Sequence, residues 1–498
     1  DGCHCCSRCY RRLHKMVVRC RYSVLLAVIC LQFAVKSGFS YTAGVVEFSS
    51  HYIHNDPQMT LRVNAGRYID IIKTAAAHDV NILVFPEVGL TSVAIPTVRA
   101  EIFPYLMEVP EVGSNPCDLP NSHQALKMLS CAVKKYEIYV VVNLSELAHC
   151  TETDSDCPSD GSFFYNTNIA FNKSGHIVSR YRKTNLFIEP EFNVPKIPEH
   201  SWFDTDFGVR FGMFICFDIL FKEPTVDLLD KQNITDFVYP TAWFSELPFL
   251  TAISVQAGWA HANDVNLLAA GYNNPTNKNT GSGIYQGRDG QIVAYMANDR
   301  STKLLTSRVN SRQRGSLPSH SEQITFPSDE TVQDLKSEIN FFHYNLENFT
   351  TVIASEPDAK LEYNNEGFSC KISAQLSITG DGPTYRLVAW SGVRSYAEVR
   401  SVHLEVCGVI ACPDRQLSSC GYKPEFHAPH TDFSRIAIET VSNRSLLSYP
   451  ITLTSELLSF PAAQFSYSSL KRLENYDTDL SSSHLDGNFI TFAVFRNG

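Results

Sequence analysis

The chain has 498 residues, 44% of them apolar and 19% charged, with 15 cysteines and a net charge of −10. That length points to two or three domains, because a single core stops growing near roughly 250–300 residues. The apolar fraction excludes a mostly disordered chain, and the negative balance excludes nucleic-acid binding through a general basic surface. Fifteen is odd, so at least one cysteine stands outside any intrachain disulfide.

Residues 1–40 carry seven basic residues (Arg8, Arg11, Arg12, Lys15, Arg19, Arg21, Lys36) and one acid, Asp1. Val24 to Val35 is an apolar run too short to span a bilayer comfortably and suited to a signal-peptide core. From Met16 the layout is Arg19 and Arg21, the apolar run, then Gly38 and Ser40 before Tyr41. This predicts a leader over 1–40, with the signal peptide at about 16–40, cleavage near Ser40 and a secreted product; a signal anchor is the alternative. The cluster Cys3, Cys5, Cys6 and Cys9 lies upstream of that signal and would leave with it. What remains has a charge of about −16, from 35 basic against 51 acidic residues, and nine cysteines. Export predicts disulfides, and eight of the nine cysteines can form four bridges. Short separations pair Cys117 with Cys131 and Cys150 with Cys157, whereas Cys370, Cys407, Cys412 and Cys420 allow three connectivities. Five sequons, at Asn143, Asn172, Asn233, Asn348 and Asn443, are glycosylation candidates, although Asn143 lies in a strand-like apolar run. The closing segment from Phe489 is too short and polar for a lipid-anchor signal.

From 41 to 310, strand and helix patterns alternate, which points to an α/β domain. Asn81-Ile-Leu-Val-Phe-Pro, Ile138-Tyr-Val-Val-Val-Asn-Leu, Phe211-Gly-Met-Phe-Ile-Cys-Phe and Asp236-Phe-Val-Tyr-Pro read as strands buried on both faces. Tyr68, Ile71, Ile72 and Ala75 mark one helix face; Leu126, Leu129 and Val133 mark a second, and Ile253, Ala257 and Ala260 a third. Residues 311–335 turn polar and read as a linker. Beyond it, 336–498 reads as a smaller β-rich domain carrying four cysteines.

Three residues can carry chemistry. Glu87 follows Val84-Phe-Pro, Lys183 follows another strand pattern, and Cys216 sits in Phe214-Ile-Cys-Phe-Asp. Each alone reads as structural: a solvated strand-end acid, a surface base and a small buried hydrophobe. Together each closes a predicted parallel strand, where ligands of α/β sheets gather. A thiol with a base and a cation is the equipment of nucleophilic acyl transfer. Cys216 would attack, Glu87 would accept the proton, and Lys183 with the backbone N–H of Phe217 would hold the oxyanion.

Phe85-Pro-Glu-Val, Arg182-Lys-Thr-Asn-Leu and Phe214-Ile-Cys-Phe-Asp-Ile-Leu-Phe resemble the Glu–Lys–Cys motifs of the nitrilase (carbon–nitrogen hydrolase) superfamily. Tyr181-Arg-Lys-Thr-Asn-Leu-Phe-Ile-Glu-Pro-Glu-Phe-Asn, Tyr239-Pro-Thr-Ala-Trp and Thr280-Gly-Ser-Gly-Ile-Tyr are similar to its vanin/biotinidase branch. The resemblance implies an α-β-β-α sandwich followed by a β-rich base domain, and hydrolysis of a linear amide. It assigns Glu87 as proton acceptor, Lys183 as proton donor and Cys216 as nucleophile, and Glu146 as the superfamily's second glutamate, which orients the lysine. The implied substrates are small molecules, pantetheine or a biotinyl amide. Ala262-Asn-Asp-Val-Asn and Tyr272-Asn-Asn-Pro depart from the vertebrate pattern near the expected pocket, which leaves the acyl group open. No metal, cofactor or nucleic-acid partner is expected, and the chain is read as a monomer or weak dimer. Trp243 and Trp259 read as core or pocket wall. The reading from another class is a secreted non-catalytic binding protein on the same fold. A cysteine protease is disfavoured because no histidine partner stands out.

Overall fold

The computed structural model describes residues 40–310, 320–326, 339–426, 431–472 and 475–498. The expected leader therefore lies outside the described residues, apart from Ser40, which opens the first strand. Among the described residues no helix is long and apolar enough to cross a membrane.

Two mixed sheets stack face to face. The first contains β1 (Ser40–Glu47), β2 (Ile82–Val84), β3 (Met107–Glu108), β4 (Tyr139–His149), β5 (Ser162–Phe171) and β6 (Ile177–Arg182). The second contains β7 (Ser201–Asp204), β8 (Arg210–Met213), β9 (Asp236–Thr241), then, after β10 (Glu246–Leu247), β11 (Asn266–Gly271), β12 (Ser282–Gln286) and β13 (Gln291–Tyr295). The chain returns to the first sheet through β14 (Thr302–Asn310), antiparallel to β1, and β15 (Ser321–Phe326). That last strand corrects the 311–335 linker reading: 320–326 is ordered against β14, and the rest of that interval lies outside the described residues.

Side-chain alternation builds the layers, because successive residues of a strand face opposite sides. Tyr41, Ala43, Val45, Val84, Val141 and Tyr181 point into the core between the sheets. Val46, Leu83, Val140, Val142 and Ile169 point outward against α1 (Pro57–Ala77) and α2 (Gln124–Tyr136). Asp56 opens α1 by accepting the amide of Met59 at 2.9 Å, and Pro57 follows at its first turn. The other outer face carries α3 (Lys222–Gln232) and α4 (Ala252–Asn263). This is the expected α-β-β-α layering.

The described residues from 339 onward form a second sandwich of two antiparallel sheets around Leu387, Val409, Ile438 and Phe492. Cys370–Cys407 joins its two sheets and Cys412–Cys420 closes a short loop, which selects one of the three connectivities. Cys117–Cys131 and Cys150–Cys157 are paired in the first domain, leaving Cys216 the free cysteine among the described residues. Asn172 is half-buried, and Asn233, Asn348 and Asn443 are exposed. Asn143 is 1% exposed and hydrogen-bonded to Asn166 and Asn168, so its place in the core corrects its candidacy as a glycan site.

The two domains meet tightly at α4. Gly258 lets the helix approach the strand Leu447–Thr454, since a Cβ there would lie 2.5 Å from the Pro450 carbonyl oxygen. The C-terminal domain also satisfies carbonyls of the Cys216–Leu220 turn: Tyr449 Oη donates to Ile219 at 3.1 Å and Asn497 Nδ2 to Leu220 at 2.8 Å.

Candidate active site

Glu87, Lys183 and Cys216 meet in one pocket at the strand ends and are 3%, 2% and 6% exposed. β2 runs parallel to β1 and β4, and β8 runs parallel to β9, so Glu87 and Cys216 follow the carboxyl ends of parallel strands as expected. Lys183 differs, because β6 is antiparallel to β5. It reaches the pocket because it continues the inward-facing parity of Tyr181.

The nucleophile turn is strained. Cys216 has φ of 43°, a left-handed conformation costly for a side chain with a Cβ, and it opens a short 3-10 turn, Cys216–Leu220. Phe217 follows in the first turn, where backbone N–H groups have no acceptor within the helix, which suits the oxyanion role read from sequence. Asp218 fixes the turn. Its carboxylate accepts from Ile215 N at 3.0 Å, Tyr181 Oη at 2.7 Å, Asn185 N at 2.9 Å and Asn185 Nδ2 at 2.8 Å. One buried acid thus locks the cysteine loop to the lysine loop. Tyr239 Oη adds a bond to the Cys216 carbonyl at 2.9 Å.

Lys183 Nζ donates to Glu87 Oε1 at 2.6 Å and to Glu189 Oε2 at 2.6 Å. Asn166 Nδ2 bridges the same two carboxylates, at 2.8 Å to Glu87 and 2.6 Å to Glu189. Asn143 holds Asn166 at 2.7 Å and accepts the amide of Val88, whose φ of 49° is unusual for a β-branched residue. Ala242 N completes Glu87 at 2.8 Å on Oε2.

Burial works against the Lys183 charge, yet Glu189 and then Glu87 hold its ammonium well above the usual lysine range. Burial, and then Glu87, push the Cys216 thiol well above its ordinary value, against Lys183 and Thr241. The resting cysteine is therefore a thiol, and it needs a base at the moment of attack. A buried thiol, carboxylate and ammonium arranged this way can form and break an acyl thioester.

The structure moves one assignment. Glu146 is buried, but it binds Arg182 at 2.6 and 2.9 Å and Thr167 at 2.7 Å, not Lys183. Strand alternation explains this: Asn143 points to the Glu87 side, where it bonds Asn166 and Val88, so Glu146, three residues on, faces the other side with Arg180 and Arg182. The glutamate beside the lysine is Glu189. It sits in a loop six residues after Lys183, past Ile188 at φ 55°, where no periodic pattern marks it. Asn143 reads in the sequence as a strand residue and a sequon, with nothing to mark it for the site, and no motif marks Asn166. Trp243 lines the pocket and Trp259 lies in the core.

The pocket walls are largely apolar, with Phe187, Phe244 and Leu250 from the first domain and Tyr396 from the second. Away from it, His200, Glu223 and Asp227 bring metal-capable atoms within 4.8 Å of one another, a grouping that the separate sequence positions hid; Lys231 pairs with Asp227 at 3.0 Å.

Residues 44–258 match the carbon–nitrogen hydrolase family and residues 339–498 match the vanin C-terminal domain. Over 92% of this chain and 89% of the relative, the chain is 35% identical to vanin-like protein 2 of Drosophila melanogaster. It is 33% identical to the pantetheinase of Mus musculus over 84% of this chain and 81% of that one. Among solved structures, Saccharomyces cerevisiae Nit3, a member of branch 10 of the nitrilase superfamily, aligns with a TM-score of 0.43 at 19% identity, covering 54% of this chain and 90% of that one. The chain belongs to the carbon–nitrogen hydrolase family, with the vanin C-terminal domain, and is a hydrolase of carbon–nitrogen amide bonds other than peptide bonds.

Proposed function

We propose that this protein is a secreted, pantetheinase-like amidase that cleaves a linear amide through Glu87, Lys183 and Cys216. The observation that carries the reading is the buried Glu87–Lys183–Glu189 cluster beside a free thiol in an apolar pocket. Similarity to pantetheinase along most of both chains supports pantetheine as substrate.

In this reading Cys216 passes its proton to Glu87 as sulfur attacks the amide carbon. Lys183 Nζ and the Phe217 N–H hold the oxyanion. Glu87 then gives the proton to the departing amine, leaving an acyl thioester on Cys216. Water enters, Glu87 takes its proton as hydroxide displaces the Cys216 thiolate, and Glu87 returns that proton to the sulfur. Pantetheine and water become pantothenate and cysteamine. The basic, apolar leader pattern supports export.

Assaying pantetheine and biocytin side by side tests the reading. Pantetheine turnover is expected, and Cys216→Ala is expected to abolish it while the variant still folds and is secreted. Preference for biocytin would move the substrate to biotinyl amides. Full activity in Cys216→Ala would remove the thioester route.

A further inference from the structure

The pocket holds an acid that the amide chemistry above leaves unused. Glu191 is 4% exposed and lines the same cavity as Glu87, Lys183 and Cys216. Its Oε2 is buried and has no hydrogen-bond partner among the described residues. Glu189, two residues earlier, is fully engaged by Lys183, Asn166 and the Phe187 amide. The Arg99 guanidinium reaches the Glu191 backbone carbonyl at 3.2 Å rather than its carboxyl. Arg99 is otherwise committed to Asn193 at 3.0 Å, Asp160 at 2.7 Å and the face of Phe164 at 3.7 Å.

An unpaired buried polar atom has lost its water without gaining a bond in return. Such a group in an otherwise well-satisfied site calls for an explanation, and a ligand that supplies the missing donor is one. Burial first, and Glu189 beside it, push the Glu191 carboxyl up to about 7, against its own amide N–H and Lys183. Near neutral pH it carries only part of a charge, which suits a neutral donor better than a cation. Val93, Ile95 and Phe192 give the surrounding wall an apolar character that would hold hydrocarbon.

We propose that Glu191 determines specificity: its free carboxyl oxygen accepts a hydrogen bond from a hydroxyl or amide N–H in the acyl part of the substrate. This deepens the pantetheine reading and rests on it. The leaving half of pantetheine, cysteamine, carries only a thiol besides its amine. Away from the scissile amide, every hydroxyl and N–H donor therefore belongs to the acyl half. A site built around such a donor rejects analogues that lack it far more strongly than an apolar wall does.

The test compares kcat/KM for pantetheine with that for a cysteamine amide of a plain alkanoyl chain of matched length. Glu191→Leu is expected to cost pantetheine at least tenfold more than it costs the alkanoyl amide, mainly through KM. Glu191→Gln keeps an acceptor and a donor and is expected to recover pantetheine to within about fivefold of the wild type. Removing an unpaired carboxyl is expected to hold or raise the melting temperature of Glu191→Leu; Glu191→Met is the second variant should Leu pack badly. Equal losses on both amides, no loss on pantetheine, or a Gln variant as impaired as Leu would each overturn the proposal, the last by pointing to charge pairing. Should the wild type cleave neither amide, the pantetheine reading falls and this inference with it. Wild-type cleavage of pantetheine without discrimination by the variants overturns this inference alone.

Discussion

The inner wall of the pocket, from the strand ends at Glu87, Lys183 and Cys216, is held by charge and hydrogen bonds; the outer wall, from the C-terminal domain, is held by rings and cations. On the inner side Lys183 is clamped between two carboxylates and Asn166 spans both. On the outer side the hairpin of Thr384–Tyr396 and Arg400–Cys412 sets the Tyr396 ring edge-on to Phe217 at 5.4 Å. Arg394 lies over Tyr344 at 4.1 Å and Tyr396 at 4.4 Å and pairs with Glu246 at 2.5 Å. Arg400 covers Phe221 at 4.2 Å. Where a charge must sit still during chemistry, buried partners fix it; where a wall must fit a substrate, aromatic area is enough. The second domain thus shapes the pocket, while the groups able to move protons come from the first.

The largest expected effect comes from breaking the inner clamp. Lys183→Met keeps volume but leaves Glu87 and Glu189 buried without their counter-charge. Removing one member of a buried ion pair costs roughly 3–5 kcal/mol of stability. The lost oxyanion donor adds a fall of about 10²–10³ in kcat. Steady-state kinetics with pantetheine and a melting curve check both. Turnover within tenfold of the wild type would dissolve the distinction between the walls.

How much of this was legible follows from what makes each residue stand out. Glu87 and Cys216 end continuous apolar runs, and such runs mark buried strands by composition alone. Glu146 was misplaced because motif position says nothing about which face a residue takes; counting parity from Asn143 would have turned it away from the lysine. Glu189 depends on a turn at Ile188 whose φ of 55° no composition rule foresees. Tyr396 lies far from Cys216 in the chain, and only the docking of two sandwiches brings it to Phe217. The strand at Ser321–Phe326 was lost in polar residues because an edge strand with alternating exposure shows little apolar signal.

Asp218 joins the two walls and gives the next effect. It binds Asn185 Nδ2 at 2.8 Å, and Arg400 from the C-terminal domain binds Asn185 Oδ1 at 2.5 Å. Burial pushes its carboxyl up to about 6, against Tyr181, the Ile215 amide, Asn185 and Lys183. The folded protein therefore holds a proton that the unfolded chain, with a pKa of about 3.9, has released. Stability contributed by that proton is present below about pH 4 and is lost as pH rises towards 6, on the order of 3 kcal/mol in all. Asp218→Asn removes this titration. Melting temperatures from about pH 4.5 to 6.5 are expected to fall less steeply in the variant than in the wild type. Glu47 and Glu191, both pushed up to about 7, titrate alike in the two proteins and cancel in the difference. Parallel curves would mean that Asp218 is ionised in the fold throughout.

On the outer wall a single ring is expected to matter less. Tyr396→Leu keeps apolar bulk against Phe217 but removes the edge-on ring and the hydroxyl that donates to Asn497 at 2.9 Å. Tyr396 also lines the pocket, and an aromatic surface lost from contact with substrate is worth about 0.5–1.5 kcal/mol, a factor of roughly 2–12 in binding. KM for pantetheine is expected to rise by that factor, with kcat falling less than KM rises. The split matters more than the size. An interaction lost equally from bound substrate and transition state raises KM, whereas one made only in the transition state lowers kcat. A fall of about 10² in kcat at constant KM would place the C-terminal wall inside the chemistry and make the second domain part of the catalytic apparatus.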